Sequence, residues 1–172
     1  MLKPSQDLNL SLISNPSLSH DQLLDLLKRA EVLQAIYGDS YPDIKDPDTP
    51  PSVLRIIAEN RCGTFTPRLI DVLKHFGVGA IAATSGDEKS DYHVYAALIT
   101  RAGFTVACPS INQYVVGERG IYCDSRERLR MHICSEKTKL HCFSESRPEL
   151  FSRVWGNSSI TAYTDPRLLI RP

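Results

Sequence analysis

The chain has 172 residues, of which 42% are apolar and 23% are charged, proportions typical of a folded globular protein. This composition excludes a disordered polyelectrolyte, a collagen-like chain and a disulfide-dense miniprotein. Twenty basic residues balance twenty acidic ones, so no overall charge draws the protein to DNA or to a membrane surface.

The amino terminus and the cysteines indicate where the protein works. Residues 1–19 contain one lysine and scattered Ser, Asn and Pro without a continuous apolar core, so we expect neither a secretory signal nor a transit peptide. The five cysteines are odd in number and include no C-x-x-C pair, which favours free thiols in a reducing compartment. The sequence predicts a cytoplasmic or nuclear protein that is not secreted and does not enter a membrane.

The first predicted helix spans residues 20–37. Ser19 and Gln22 are placed as in a capping box, where each side chain accepts a hydrogen bond from the other residue's backbone amide. Gly38 follows the last apolar position, and glycine commonly ends a helix in the left-handed conformation. The apolar side chains recur at helical spacing and predict one buried stripe, formed by Leu23, Leu26, Leu27, Ala30, Leu33 and Tyr37.

Two further helices are predicted before the middle of the chain. Residues 39–51 are rich in Asp and Pro and predict an exposed connection, at whose end Thr49 is placed to cap the second helix. Thr66 and Pro67 repeat this pattern and predict the start of a third helix, which ends at Gly77. The buried face of the second helix would comprise Val53, Leu54, Ile57 and Ala58.

The spacing of the apolar residues changes after the third helix. Residues 79–84 predict a strand, and residues 104–108 predict another. Between them, a helix that ends at Gly103 is predicted from the spacing of Val94, Tyr95, Leu98 and Ile99. The natural arrangement of strand, helix and strand is a parallel pair joined by a right-handed crossover.

Apolar and polar residues alternate between residues 112 and 143. The predicted strands are 114–116, 121–123, 129–134 and 140–143. The last two strands would form a hairpin whose core face carries Met131, Ile133, Leu140 and Cys142. Its other face would carry Arg130, His132, Cys134, Lys139 and His141.

Two imidazoles and a thiol are expected to lie close together on the polar face of this hairpin. His132 would lie opposite His141, with Cys134 diagonal to His141. These side chains would supply three ligands of a zinc ion, with Cys123 as the fourth. The ordinary alternative is a pair of exposed histidines, and the two cationic side chains on the same face oppose binding of a dication.

Charge is unevenly distributed along the chain. Residues 1–100 carry 9 basic and 13 acidic residues, whereas residues 101–172 carry 11 basic and 7 acidic ones. Mutual attraction between two parts of one domain, or solvated charged faces, would account for this asymmetry. The alternative is a face that contacts nucleic acid or phosphate, and its residues would be Arg126, Arg128, Arg130, Lys137 and Lys139.

Two segments resemble known enzyme families. Residues 52–76, with the run G-T-F-T-P at 63–67, resemble the closing helices of the HD-GYP cyclic-dinucleotide phosphodiesterases. Residues 92–106, which begin Y-H-V-Y, are similar to the helix-then-strand opening of the tRNA-splicing endonuclease fold. The metal ligands of the first family and the catalytic His and Lys of the second have no counterpart here, so no catalytic residue is assigned. Both resemblances imply a nuclease or phosphodiesterase-related enzyme, or an enzyme subunit, as an alternative function.

The combined patterns predict an α+β protein in which an N-terminal helical cluster packs on a small mixed, largely antiparallel β-sheet. Residues 1–18 would be a flexible N-terminal segment, and residues 19–172 a single domain that is helical over 19–77 and rich in sheet over 78–172. The expected function is that of a non-enzymatic regulatory or adaptor protein acting through protein–protein contacts, with nucleic-acid contact by the basic C-terminal hairpin. A zinc-stabilised interaction module is a further alternative, and the sequence identifies no other cofactor.

Overall fold

Helices pack on one sheet in the part of the chain that the computed structural model describes, residues 10–85, 93–113 and 119–124. The helices are α1 (His20–Leu27), α2 (Ala30–Tyr37), α3 (Tyr41–Lys45), α4 (Pro51–Ala58) and α5 (Cys62–His75). The strands are β1 (Ile81–Ser85), β2 (His93–Thr100), β3 (Gly103–Cys108) and β4 (Tyr122–Asp124). The expected α+β class, with an N-terminal helical cluster on a small sheet, is confirmed.

The segment predicted as one helix over residues 20–37 forms two helices. The capping box is confirmed, because the Gln22 amide donates to the Ser19 hydroxyl at 3.1 Å and the Ser19 amide donates to the Gln22 side chain at 2.8 Å. At Arg29 the backbone is extended, with φ −63° and ψ 139°, which separates α1 from α2. Each helix buries its own face: Leu23, Leu26 and Leu27 in α1, and Val32, Ile36 and Tyr37 in α2.

The start of α4 differs from the prediction by one residue. Pro51 is the first helical residue, and Pro50 precedes it in an extended conformation. No side chain caps this helix, so the predicted cap at Thr49 is wrong. Thr49 is buried instead. The predicted apolar face is confirmed, because Leu54 and Ala58 are buried and the other two members are half-buried.

The start of α5 also precedes its predicted cap. This helix begins at Cys62, so Pro67 lies inside it rather than at its first position. Pro67 is the sixth residue of this helix, past the four amides that have no intrahelical partner, so its ring removes one intrahelical hydrogen bond. Thr66 is fully buried, and its hydroxyl donates to the carbonyl of Val94 in the sheet at 3.0 Å. That hydrogen bond ties α5 to β2.

The helix predicted around residues 94–99 is wrong, because these residues form β2. Every residue from 93 to 98 is buried. A strand that is covered on both faces has a continuous apolar sequence. The spacing of its apolar residues alone cannot distinguish it from a buried helix. Gly103 was expected to end that helix. Instead it follows the two-residue turn Arg101-Ala102 between β2 and β3, with φ +109°.

The sheet is an antiparallel meander in the order β1-β2-β3-β4. Ala97 of β2 lies between Ile81 of β1 and Val106 of β3. The predicted parallel pair with a crossover helix is therefore wrong, since β2 itself connects β1 with β3. The strands predicted over 79–84, 104–108 and 121–123 are confirmed with small shifts of their ends. Residues 93–106 form a hairpin, so they do not follow the helix-then-strand order of the endonuclease resemblance.

The segment before α1 pairs with the end of β2, next to the residues that lead into β1. Ile13 is fully buried, and the backbone of Ser14 forms an isolated parallel bridge with Ile99. The side chain of Asn15 donates to the Gly79 carbonyl at 2.9 Å and accepts from the Gly79 amide at 2.8 Å. The described part of the predicted N-terminal segment is thus integrated into the fold. A single domain over residues 19–172 stays a prediction.

The core lies between the helical layer and the sheet. Its largest fully buried side chains include Ile36, Leu54, Leu69, Leu73 and Leu98. Full burial of each such side chain contributes about 1.5–3 kcal/mol to folding. None of the helices that the structure describes is long and apolar enough to cross a membrane.

Candidate functional site

Most of the site residues predicted from the sequence lie outside the described residues. This applies to the basic contact residues Arg126, Arg128, Arg130, Lys137 and Lys139, and to the zinc ligands His132, Cys134 and His141. Both sites therefore stay predictions. Cys123, the expected fourth ligand, lies in β4 opposite Ala107, and burial, followed by the negative charge of Asp124, raises the pKa of its thiol to about 12. Within the described ranges no three His, Cys, Asp or Glu side chains are grouped as metal ligands.

Arg119, which is not one of the predicted contact residues, binds backbone carbonyls of the connection between α3 and α4. Its guanidinium donates to the carbonyls of Asp46, Pro47 and Thr49, the last two at 2.6 and 2.9 Å. A planar guanidinium suits such convergent acceptors because its donors are held in a rigid fork. Arg119 therefore holds the 46–49 loop in place.

A buried group of polar side chains lies where β2 begins and β3 ends. Because the two strands are antiparallel neighbours, the start of one meets the end of the other at the same edge of the sheet. His93 Nε2 is 2.9 Å from the Sγ of Cys108, and both residues are fully buried. His93 Nδ1 is 2.9 Å from the side-chain amide of Gln113, which is half-buried. A thiol, an imidazole and a carboxamide thus form one chain of contacts.

Burial determines the charge state of this pair. It lowers the pKa of His93 to about 3 and raises the pKa of Cys108 to about 12. The Ser110 amide and hydroxyl lower the pKa of the Cys108 thiol, and the nearby Cys62 thiol raises it further. At neutral pH the pair is therefore an uncharged thiol beside an uncharged imidazole.

Among the described residues, two buried side-chain oxygens near this group have no hydrogen-bond partner within normal geometry, although the Ser110 hydroxyl lies near enough to the Cys108 thiol to lower its pKa. They are the Ser110 hydroxyl oxygen and the Asn112 side-chain carbonyl oxygen, on residues that are 0% and 3% exposed. A buried polar atom without a partner costs about 1–3 kcal/mol.

Tyr37 fixes the backbone at the end of β3. Its hydroxyl donates to the carbonyl of Pro109 at 2.6 Å, and its ring contacts Phe65 edge to face, with centroids 5.0 Å apart. Burial, followed by the charge that Cys108 would carry, raises the pKa of Tyr37, so the phenol stays a donor. The turn that follows Cys108 and carries Ser110 is thus anchored to α2.

An open cleft of about 560 Å³ lies at the other end of β2. Its walls are residues 14–18, one side of α1 and residues 76–78. Leu26 and Val78 form buried apolar parts of the cleft, and Phe76 is 37% exposed. Its volume is within the range of clefts that bind small ligands or single side chains of a partner.

Two charged side chains line this cleft and differ in their contacts. The guanidinium of Arg29 lies 5.5 Å from the centre of the Phe76 ring and 4.0 Å from the carboxylate of Glu31. Asp25, by contrast, has no hydrogen-bond or ion-pair partner in the structure's described ranges. The cleft therefore combines apolar surface with the carboxylate of Asp25, which pairs with none of the described residues.

Sequence reasoning missed both the thiol–imidazole pair and the cleft. The pair was hidden because residues 94–99 were assigned to a helix, which places His93 on the wrong kind of element. A strand assignment alone would have brought His93 and Cys108 to one edge of the sheet. The cleft had no sequence signal, because it is formed by three separate segments.

No protein-family model, no curated protein and no solved structure matches this chain.

Proposed function

We propose that the protein is a regulatory or adaptor protein that acts through protein contacts, and that the cleft beside α1 binds a short segment of its partner. The observation that supports this proposal is the cleft itself, with exposed Phe76 at its rim and buried Leu26 and Val78 within it. Aromatic side chains at the centre of a contact commonly contribute much of the binding energy. A cytoplasmic or nuclear location is part of the proposal, in keeping with the free cysteines Cys62, Cys108 and Cys123.

The charges in the cleft favour a particular kind of segment. Asp25 pairs with none of the described residues and can pair with a basic side chain of a partner, whereas Arg29 already contacts Phe76 and Glu31. The apolar part of the cleft suits a leucine- or phenylalanine-sized side chain. The partner segment is therefore one in which a Lys or Arg lies near a large apolar residue.

Peptides selected against the immobilised protein test this proposal. Peptides from a random displayed library should be enriched for a basic residue near a large apolar one, and Phe76→Ser should weaken their binding by about tenfold or more. Ile56→Ser is the matched control, because Ile56 is 69% exposed on α4 and lies outside the cleft.

Asp25 provides a second, smaller readout. Asp25→Asn should weaken binding about two- to fivefold, as loss of an exposed ion pair does, and added salt should reduce the difference. Asp39→Asn, on an exposed turn away from the cleft, is its control. Equal binding to Phe76→Ser and Ile56→Ser would contradict the proposal.

A further inference from the structure

The backbone of Ser14 presents a hydrogen-bonding edge beside the cleft. In the parallel bridge between Ser14 and Ile99, the hydrogen bonds go to the residues on either side of Ser14. The Ile99 amide donates to the Ile13 carbonyl at 2.8 Å, and the Ile99 carbonyl accepts from the Asn15 amide at 2.9 Å. The amide and the carbonyl of Ser14 therefore point away from β2, because successive residues of a strand direct these groups to opposite sides.

The edge that Ser14 presents is open in the part of the chain that the structure describes. No described group pairs with the Ser14 amide or carbonyl. Gly79, which lies against this segment, does not close the edge, because its own amide and carbonyl are bound by the Asn15 side chain. Ser14 is exposed and lines the cleft. An exposed strand edge of this kind is a template for a second extended chain.

The side chains of the cleft are also suited to an extended occupant. Successive side chains of an extended segment point to opposite faces, so those that enter a cleft together lie two residues apart. Such a segment can place an apolar side chain against Phe76 and Leu26 and a basic one near Asp25. A helix, by contrast, bonds its backbone groups internally and would leave both groups of Ser14 unused.

We propose that the partner segment binds in the cleft as an extended strand that pairs with Ser14. One carbonyl of the segment accepts from the Ser14 amide, and one of its amides donates to the Ser14 carbonyl. This inference rests on the proposed function, since it specifies the conformation of the segment that the cleft binds. In strand addition the backbone hydrogen bonds contribute affinity, and alternate side chains contribute specificity.

The spacing of residues within selected peptides is the first test. In peptides whose binding depends on Phe76, the basic residue should lie two positions from the large apolar one. A separation of three or four would indicate a helix and would overturn this inference, while the proposed function would stand. If no selected peptide distinguishes Phe76→Ser from Ile56→Ser, the proposed function fails, and this inference fails with it.

Ester replacement of single peptide bonds in a selected peptide tests the backbone pairing. Each ester removes one amide hydrogen and leaves every side chain unchanged. One position should weaken binding about three- to tenfold, as loss of one backbone hydrogen bond does. The esters on either side of it should weaken binding by less than about twofold, because those amides point to the other edge of the strand. Equal binding of all the ester peptides, or losses at three or more consecutive positions, would overturn the proposal.

Hydrogen exchange of the Ser14 amide, followed by NMR, tests the pairing on the protein itself. This exposed amide should exchange rapidly in the free protein and about tenfold or more slowly with a selected peptide bound. Ser52 is the matched reference, because it is an exposed residue in the first turn of α4, outside the cleft, and its exchange should not change. Unchanged exchange at Ser14 in the complex would overturn the proposal. Slow exchange in the free protein would also overturn it, because another part of the chain or a second copy would then occupy the edge.

Discussion

The side chain of Asn15 forms two hydrogen bonds with the backbone of Gly79, which lies 64 residues further along the chain. The Asn15 carboxamide thereby satisfies the backbone amide and carbonyl of Gly79, as a neighbouring strand would, just before β1 begins. Gly79 permits this approach because a Cβ atom there would lie 2.0 Å from the Leu12 carbonyl oxygen. This pair joins the N-terminal segment to the sheet, and Asn15 also lines the cleft.

Replacement of Asn15 by alanine should destabilise the protein by about 2–4 kcal/mol. The change removes hydrogen bonds to both backbone groups of Gly79 and leaves them part-buried without partners. Urea unfolding measures the loss. Gln34→Ala, at an exposed position of α2, should change stability by less than about 0.5 kcal/mol. A loss no larger than that of Gln34→Ala would contradict the role given to Asn15.

The features that the sequence predicts correctly are local ones. The capping box at Ser19 depends on residues three apart, and the stop at Gly38 depends on one residue with φ +55°. The errors arise where distant segments decide the outcome. Thr66 resembles a cap, but its hydroxyl is taken by Val94, 28 residues away. The contact between His93 and Cys108 could not be predicted for the same reason, because it forms only when β2 pairs with β3.

Replacement of Arg119 by alanine should cost about 1–2 kcal/mol of stability. Three carbonyls of the 46–49 loop lose a shared donor, although part of the loss is recovered from water at this exposed position. Arg119→Lys should recover little, since a lysine ammonium lacks the planar fork. Arg55→Ala on the exposed face of α4 is the matched control, and urea unfolding is the measurement. If the alanine and lysine variants both matched Arg55→Ala, the loop would be shown not to depend on Arg119.

Acid should destabilise the protein through His93. The folded imidazole takes up a proton only near pH 3, whereas an unfolded histidine does so near its ordinary pKa of 6.5. Protons therefore favour the unfolded chain between these values, so that stability is full above about pH 6.5 and decreases as the pH falls toward 3. A pKa difference of this size corresponds to roughly 5 kcal/mol of stability at its limit.

The contribution of His93 can be separated from that of the carboxyl groups. Urea unfolding of the wild type and of His93→Gln at several pH values between 7 and about 4 gives two slopes of unfolding free energy against pH. We expect the wild type to lose more stability over this range, because the variant has no imidazole to protonate. The NMR signals of the His93 ring provide a check without substitution, since they should stay those of a neutral imidazole down to about pH 4. Parallel slopes, together with protonation of His93 near pH 6.5 in the folded protein, would show that its ring is accessible to water. The neutral thiol–imidazole pair would then have to be abandoned.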